Sequence, residues 1–594
     1  MCGINGFNFK NMDLIQKMLA VTSSRGPDNQ DYFEFDEYTV GHNRLSIIDP
    51  NERSNQPFIF KNYVLSFNGE IYNCTEIKKQ LILKGYNFKT TSDTEVIIKL
   101  FDLKGKESFK ELSGIFSISI YDIKLKKLYL IRDTIGVKPL YYYYEPYSKK
   151  FIFSSLIKSI LISINNKKLN HDAVISYSNF NRNDYREIFF KNIFKVLPGE
   201  LIEFSNGNYI RSKILKLNFN KEKNHHNLIS DISRNFSNQF LSDVPVALSL
   251  SGGVDSNIIR HELLKNKGTN FTNYSVTYKN SKKYQQDHKA AKKISQYYGV
   301  KFNSIEVSAL DFRDNAEKII DIVEEPTGNP NSISNLILSN NVKEKVLFSG
   351  DGGDEVFTGY DRYKSISKLS LVLKLNILKG INLNFKKKFF KRIFINNSRN
   401  LYLSFSEQNL FRNTKKVYKN FRYLTKRDLD KTLNHSLNVD NYPRLSNVMY
   451  HDLDTWGPND ILNRNDKIYD NKGIEVRVPF LDKNIVEDYL MLNDRIKYGL
   501  FFKNKNILIK NYKSQIKFTV KKKLGFNSPF AGWLRKELYK FGKDVLSKNY
   551  YDSSAILDLD YCQELLKEHR ENYCDPYLIW NAISFQIFLR KHNF

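Results

Sequence analysis

Cys2 follows the initiator directly, so removal of Met1 would leave one residue bearing both a thiol and a free α-amine. That sets a nucleophile beside a built-in base. Both groups titrate near neutrality, the thiol at about 8.5 and the amine at about 7.7 to 8.0. A cysteine in a frayed terminus carries no such meaning by itself. Four strings follow it in order: Arg25-Gly26-Pro27-Asp28, His42-Asn43-Arg44-Leu45-Ser46-Ile47-Ile48-Asp49, Phe67-Asn68-Gly69-Glu70-Ile71-Tyr72-Asn73 and Ser92-Asp93-Thr94-Glu95. Splitting a primary amide needs a nucleophile and donors for the oxyanion. Selecting an amide that is also an amino acid needs partners for an α-carboxylate and an α-ammonium. Arg44 can hold a carboxylate bidentately, and Asp93 can pair with an ammonium. The Asn68 side chain and the Gly69 N–H can form an oxyanion hole, a contact worth roughly 3 to 4 kcal/mol of barrier. Taken singly, Asn68-Gly69 could be a hairpin turn and Arg25–Asp28 a plain loop.

A second constellation begins at Ser251-Gly252-Gly253-Val254-Asp255-Ser256, after an apolar strand and before a helix. Successive glycines let N–H groups turn toward a phosphate, and a helix N-terminus adds a favourable field. No Gly-Lys-Ser/Thr follows, so the string is not a Walker A loop. Phe348-Ser349-Gly350-Asp351-Gly352-Gly353-Asp354-Glu355 follows another strand. Carboxylates facing a triphosphate imply Mg²⁺, a hard cation that takes oxygen ligands, with Asp255 and Asp354 as candidates. Further on lie Gly473-Ile474-Glu475-Val476-Arg477-Val478-Pro479-Phe480-Leu481-Asp482, then Lys505 and Lys523. Either lysine could stabilise charge on a transferring phosphoryl group.

The first set resembles the glutaminase domain of class II glutamine amidotransferases over about residues 2 to 160. That resemblance implies an αββα sandwich, Cys2 as nucleophile with its α-amine as base, and Asn68 and Gly69 as the oxyanion hole. Arg44, Asn68, Gly69, Glu70 and Asp93 would surround glutamine. The Ser251–Ser256 string resembles the pyrophosphate loop of N-type ATP pyrophosphatases, which cleave ATP to AMP and pyrophosphate. The whole ordered set resembles the glutamine-hydrolysing asparagine synthetase family. It implies Leu250, Ser251, Gly252, Gly253, Asp255, Ser256, Val276, Ser349 and Gly350 at the nucleotide and Asp351 near an acyl-AMP. The expected reaction amidates a carboxylate, with aspartate favoured and a sugar uronic acid as the alternative. Ammonia would pass through an internal tunnel.

Several positions depart from the family pattern. Leu156 stands where Glu is common, and His288 where a second acid is frequent. Arg464-Asn465-Asp466-Lys467 replaces Lys-x-Asp-Arg, and Tyr469-Asp470 replaces Ser-Met. Glu324-Glu325-Pro326-Thr327-Gly328-Asn329 is atypical as well. Most departures fall where the acceptor should bind.

The elements that must position these groups divide in two. Residues 2–210 alternate short strands and turns, with a helix starting at Asp93. The fold expected there is the α+β N-terminal-nucleophile αββα sandwich. A linker is expected at about 215–228. Residues 225–594 should form an α/β parallel-sheet ATP-pyrophosphatase domain with a helical C-terminal part, its strands at Val244–Leu250, Asn273–Thr277, Lys301–Val307 and Val346–Ser349. The four cysteines form no CxxC pair, which argues against a disulfide framework or a zinc site and favours a reducing cytoplasm. No apolar run is long enough to span a bilayer, and no signal peptide is visible. The net charge is +28, from 92 Lys+Arg against 64 Asp+Glu. That charge raises a nucleic-acid-modifying pyrophosphatase as a rival, but the lysines are spread widely, so no nucleic acid partner is expected. The basic, aromatic 374–426 segment reads as a solvated helical face. A homodimer is compatible with the chain.

Overall fold

The computed structural model describes residues 2–594 apart from 36, 220–227, 280, 375–413, 420–443, 500–502, 521–526 and 573–574. Lys523 and almost all of the basic 374–426 segment therefore lie outside the described residues.

Two antiparallel six-stranded sheets stack on each other in the first part of the chain. One runs Ile193–Lys195, Tyr141–Glu145, Lys150–Ser154, Gly3–Phe7, Tyr38–Arg44, Asn29–Phe35. The other runs Asn208–Lys213, Glu200–Ser205, Lys127–Arg132, Gly114–Asp122, Tyr63–Ile71, Phe58–Phe60. The period of two assigns each face. In Gly114–Asp122, Phe116, Ile118 and Ile120 join the cluster under the helices Cys74–Leu83 and Asp93–Lys104, while Tyr121 joins the layer between the sheets. In Gly3–Phe7, Ile4 points between the sheets and Phe7 toward the helix Met12–Thr22. That helix buries Leu14, Ile15, Met18, Leu19 and Thr22, the stripe expected of a helix lying on a sheet, and Asn11 caps it. The layers thus run helix, sheet, sheet, helix.

Asn68-Gly69 is not a hairpin turn: both residues lie inside the strand Tyr63–Ile71, paired with Ser117 and Phe116. Gly69 is required there. Its φ is +148°, and a Cβ would meet the Ile115 carbonyl oxygen at 2.0 Å.

The later part of the chain builds a five-stranded parallel sheet ordered Lys301–Val307, Phe271–Tyr278, Val246–Ser249, Val346–Phe348, Glu475–Arg477. The four expected strands are present: Lys301–Val307 as expected, Phe271–Tyr278 longer, and Val246–Ser249 and Val346–Phe348 shorter. Val244 is drawn into a turn closed by Ser242, and the Ser349 N–H leaves its strand end for the Arg477 carbonyl at 2.9 Å. Strand order reverses between Val246–Ser249 and Val346–Phe348, so a crevice opens at their carboxyl ends. The two phosphate-facing strings start there. From Asp361 onward the described chain is mostly helical. The expected linker starts as packed chain, since Leu215 and Phe219 are buried. No described helix is long and apolar enough to cross a membrane.

Candidate active sites

Cys2 opens the central strand Gly3–Phe7 of the first sheet, and Asn68 reaches it from the second. The Cys2 backbone nitrogen donates to Asn68 Oδ1 at 3.1 Å, and the thiol faces the Leu45 carbonyl at 3.9 Å. Asn68 Nδ2 is buried with no hydrogen-bond partner among the described residues, leaving a donor aimed into the site. A narrow pocket here is lined by Cys2, Arg44, Gly69, Glu70 and Asp93, which the sequence nominated, and by Glu475, which it did not. Burial pushes the Cys2 thiol up to about 11, so a nearby base has to take its proton. Burial holds His42 neutral, its pKa pushed down to about 3, with Nε2 donating to the Phe67 carbonyl at 3.0 Å. The Arg44 guanidinium is taken up by the following loop: it donates to the carbonyls of Asn51 and Asp49 at 2.8 and 2.5 Å and to Asn55 Oδ1 at 2.8 Å. Its positive charge still faces the pocket, on a fixed mount.

The Arg25–Asp28 string is a junction, not a plain loop. Arg25 Nε donates to the Cys2 carbonyl at 3.0 Å, while its other nitrogens meet Asp466 at 3.1 Å and Asp470 at 2.6 Å. Asp28 pairs with Lys345 at 2.7 Å. Asp466 and Asp470 stand one turn apart on the fully buried helix Leu462–Asp470, and Lys138 approaches Asp466 at 3.7 Å. This helix therefore ties the strand that follows Cys2 to the parallel-sheet domain. Sequence reasoning missed Asp470, Glu475 and Arg477 as neighbours of the first site. The available signals were the Tyr469-Asp470 departure for Asp470 and the Gly473–Asp482 string for Glu475 and Arg477, neither of which carried an assigned role.

The second site is a cavity of about 370 Å³ at the strand-order reversal. Ser251, Asp255, Ser256, Ser349, Gly350, Asp351 and Asp354, all of them expected at this site, line it. Leu250, Gly252, Gly253 and Val276 are outside its lining. Leu250 is buried with its N–H on the Tyr274 carbonyl, and Val276 is half-buried within Phe271–Tyr278. The Ser251 and Ser256 hydroxyls meet at 3.1 Å, closing the loop at the head of the helix Val254–Lys267. Lys505 Nζ sits between Asp255 Oδ2 and Asp354 Oδ1, 2.5 Å from each. Three residues from distant parts of the chain thus converge on one point. Asp351 Oδ2 accepts from the Ser349 hydroxyl at 2.9 Å and from Asn465 Nδ2 at 2.8 Å. Glu355 is pushed up to about 7, by burial first and by Asp354 next, and accepts from the Tyr360 hydroxyl at 2.6 Å.

Two carboxylates that share one ammonium can share one Mg²⁺, which binds through one or two carboxylates plus phosphate oxygens and water. Asp255 and Asp354 fit that role once Lys505 turns to the phosphates. Among the described residues, no three His, Cys, Asp or Glu side chains converge as a protein-only metal site.

Together the fold and the two sites define a two-domain enzyme that joins an amidotransferase domain to a synthetase domain. Residues 1–214 match the glutamine amidotransferase domain family and residues 230–590 the asparagine synthase family. The second match spans more than half of the chain, and the chain belongs to the asparagine synthase family. It is similar to asparagine synthetase [glutamine-hydrolyzing] 1 of Bacillus subtilis (strain 168), at 28% identity over 97% of this chain and 93% of that protein. Asparagine synthetase [glutamine-hydrolyzing] 3 of the same organism is 27% identical over 82% of this chain and 80% of its own. The amidase chyE of Penicillium rubens is 26% identical over 60% of this chain and 56% of its own.

Proposed function

We propose that the chain hydrolyses glutamine at Cys2 and uses the released ammonia to amidate a carboxylate that ATP has activated in the 370 Å³ cavity. The division of labour falls between residues 2–210 and 225–594. With Met1 removed, the Cys2 α-amine takes the thiol proton and the thiolate attacks the γ-amide carbon. The oxyanion is received by Asn68 Nδ2 and the Gly69 N–H, and water then releases glutamate from the thioester. The observation that carries this half is the Cys2–Asn68 contact at 3.1 Å with Nδ2 left as an uncommitted donor.

At the second site the acceptor carboxylate attacks the α-phosphate, giving acyl-AMP and pyrophosphate. Ammonia then displaces AMP and leaves the amide. Mg²⁺ held by Asp255 and Asp354 would neutralise the phosphate oxygens, and Lys505 lies where it can reach the same charge. Asp351, held by Ser349 and Asn465, lines the cavity where the acyl-AMP would form.

The names of the relatives support aspartate as acceptor. A specific observation favours a second reading. Besides Arg464, the cavity wall away from the Ser251–Ser256 and Ser349–Glu355 strings carries five neutral amides, Asn329, Asn331, Asn335, Asn465 and Asn527, and three aromatic rings, Tyr360, Trp456 and Tyr469. Amides match hydroxyl groups, and rings match the apolar face of a pyranose, so a uronic acid suits this wall. The deciding experiment incubates the purified enzyme with glutamine, MgATP and either L-aspartate or a panel of uronic acids, and counts glutamate, pyrophosphate and amide. Stoichiometric asparagine settles aspartate. Amide formed only with a sugar acid settles the second reading, and glutamate without pyrophosphate from any acceptor refutes the synthetase half.

A further inference from the structure

The strand Glu475–Arg477 closes the edge of the parallel sheet, and its Glu475 and Arg477 side chains reach residues of the first domain. Glu475, 2% exposed, lines the pocket around Cys2 and Asp93. Its Oε1 accepts from Arg477 Nε at 2.6 Å. Arg477, 1% exposed, continues to Glu70 at 2.8 Å and donates to the carbonyls of Gln239 and Leu241 at 2.7 and 2.5 Å. Three hydrogen-bond acceptors and the ion pair with Glu70 fix this guanidinium in place, and through it Glu475 and Glu70 are held as well.

The charge on this wall is unbalanced. Glu70, Asp93 and Glu475 are three buried carboxylates, and Arg477 is shared by two of them. Asp93 is pushed up to about 6, by burial first, and Glu475's charge adds to the rise. A buried set of acids held against one another stores repulsion that an arriving cation relieves. Arg44, which lines the same pocket, supplies positive charge on its fixed mount. An amino acid laid between them meets cation with carboxylate and anion with ammonium.

We propose that Glu475 is a glutamine-binding residue: the synthetase domain supplies, beside Asp93, a second carboxylate for the substrate's α-ammonium, and Arg477 holds it in place. The proposal rests on the reading that the Cys2 pocket hydrolyses glutamine. It makes the glutamine site a property of both domains. The same strand touches the other site through its backbone, since Ser349 N–H donates to the Arg477 carbonyl at 2.9 Å.

The test compares L-glutamine with 4-carbamoylbutanoate, the same amide without the α-amine, in the full-length enzyme. Glutamate release by the wild type comes first. If there is none, the reading of the pocket fails, and with it the ground for this proposal. If glutamate is released, Glu475→Gln should raise KM for glutamine about tenfold, the scale of one charge-assisted hydrogen bond, with kcat changed less than about twofold. With 4-carbamoylbutanoate the variant and the wild type should be equal within about twofold. Glu475→Asp keeps the charge but withdraws it by one methylene, so the same selective loss should appear at about threefold. This second variant carries the test if Glu475→Gln does not fold. An unchanged KM for glutamine, or an equal loss on both substrates, overturns the proposal.

Discussion

The two sites are built on opposite plans. Around Cys2, every chemical group rides on a strand or is pinned beside one: Cys2 opens one sheet, Asn68 and Gly69 lie inside the other, and Asp93 heads a helix packed on it. Around Lys505 the groups sit at helix heads: Asp255 in Val254–Lys267, Asp354 in Gly353–Val356 and Lys505 just before Asn506–Tyr512, with the two acids held by the ammonium. A strand-borne site is rigid before its substrate arrives, which suits a reaction whose charge develops on one oxygen. A site at helix heads held by displaceable ion pairs can reorganise around a triphosphate and release two products in turn.

The sharpest way to break this comparison is Cys2→Ala. Glutamine-dependent amide formation should disappear while ammonia-dependent formation persists, measured as amide produced with each nitrogen source. Equal loss with both would mean that the sites do not work separately. Asp351→Asn should give the reverse, with amide formation down at least about 10²-fold and glutamate release retained. Asn68→Ala removes one oxyanion donor, so kcat for glutamine hydrolysis should fall about 10²- to 10³-fold with a small change in KM. A loss confined to KM would assign Asn68 to ground-state binding only.

The smallest effect tests the second site through pH. Glu355 has its carboxyl raised to about 7 from the ordinary 4.5, so between these values the folded chain keeps a proton that the unfolded chain has lost. Its contribution to stability is complete below about pH 4.5 and is lost as pH rises toward about 7. The melting temperature of the wild type should therefore carry a downward component over that window. Glu355→Gln should lack that component, and identical slopes for the two proteins would refute the assignment.

Much of this was legible in the sequence because the chemistry is local. The strings around Asn68, Asp255 and Asp351 each lie inside a strand or within a few residues of a strand end, where alternation and glycine spacing report position, and Asp93 opens a helix that Ser92 caps. What stayed hidden is pairing across long separations. Leu156, Glu324 and Lys467 read as three unrelated departures. In space they form one unit: Glu324 accepts from the N–H groups of Ile157 and Lys158 at 3.1 and 2.8 Å and pairs with Lys467 at 2.8 Å. Leu156 precedes that short helix without offering it a side-chain cap, and the carboxylate comes instead from the other domain. Asp470, read as standing where the family pattern has Met, is a partner of Arg25. Glu475 and Arg477 were visible as residues, but no spacing rule reports that a strand of one sheet walls the pocket of another.

The link from Arg25 to Asp466 spans 441 residues of chain. At about 5 to 20 residues per second of synthesis, roughly 20 to 90 seconds separate the emergence of the two partners. Throughout that interval the amidotransferase sheets can form, but the guanidinium that touches the Cys2 carbonyl has neither aspartate to face, and must keep its water. The nascent first domain therefore carries an unfinished junction beside Cys2, and closing it waits on the helix Leu462–Asp470, which is made after four of the five strands of the parallel sheet. The order of translation thus delays completion of the Cys2 pocket until most of the parallel sheet has been made.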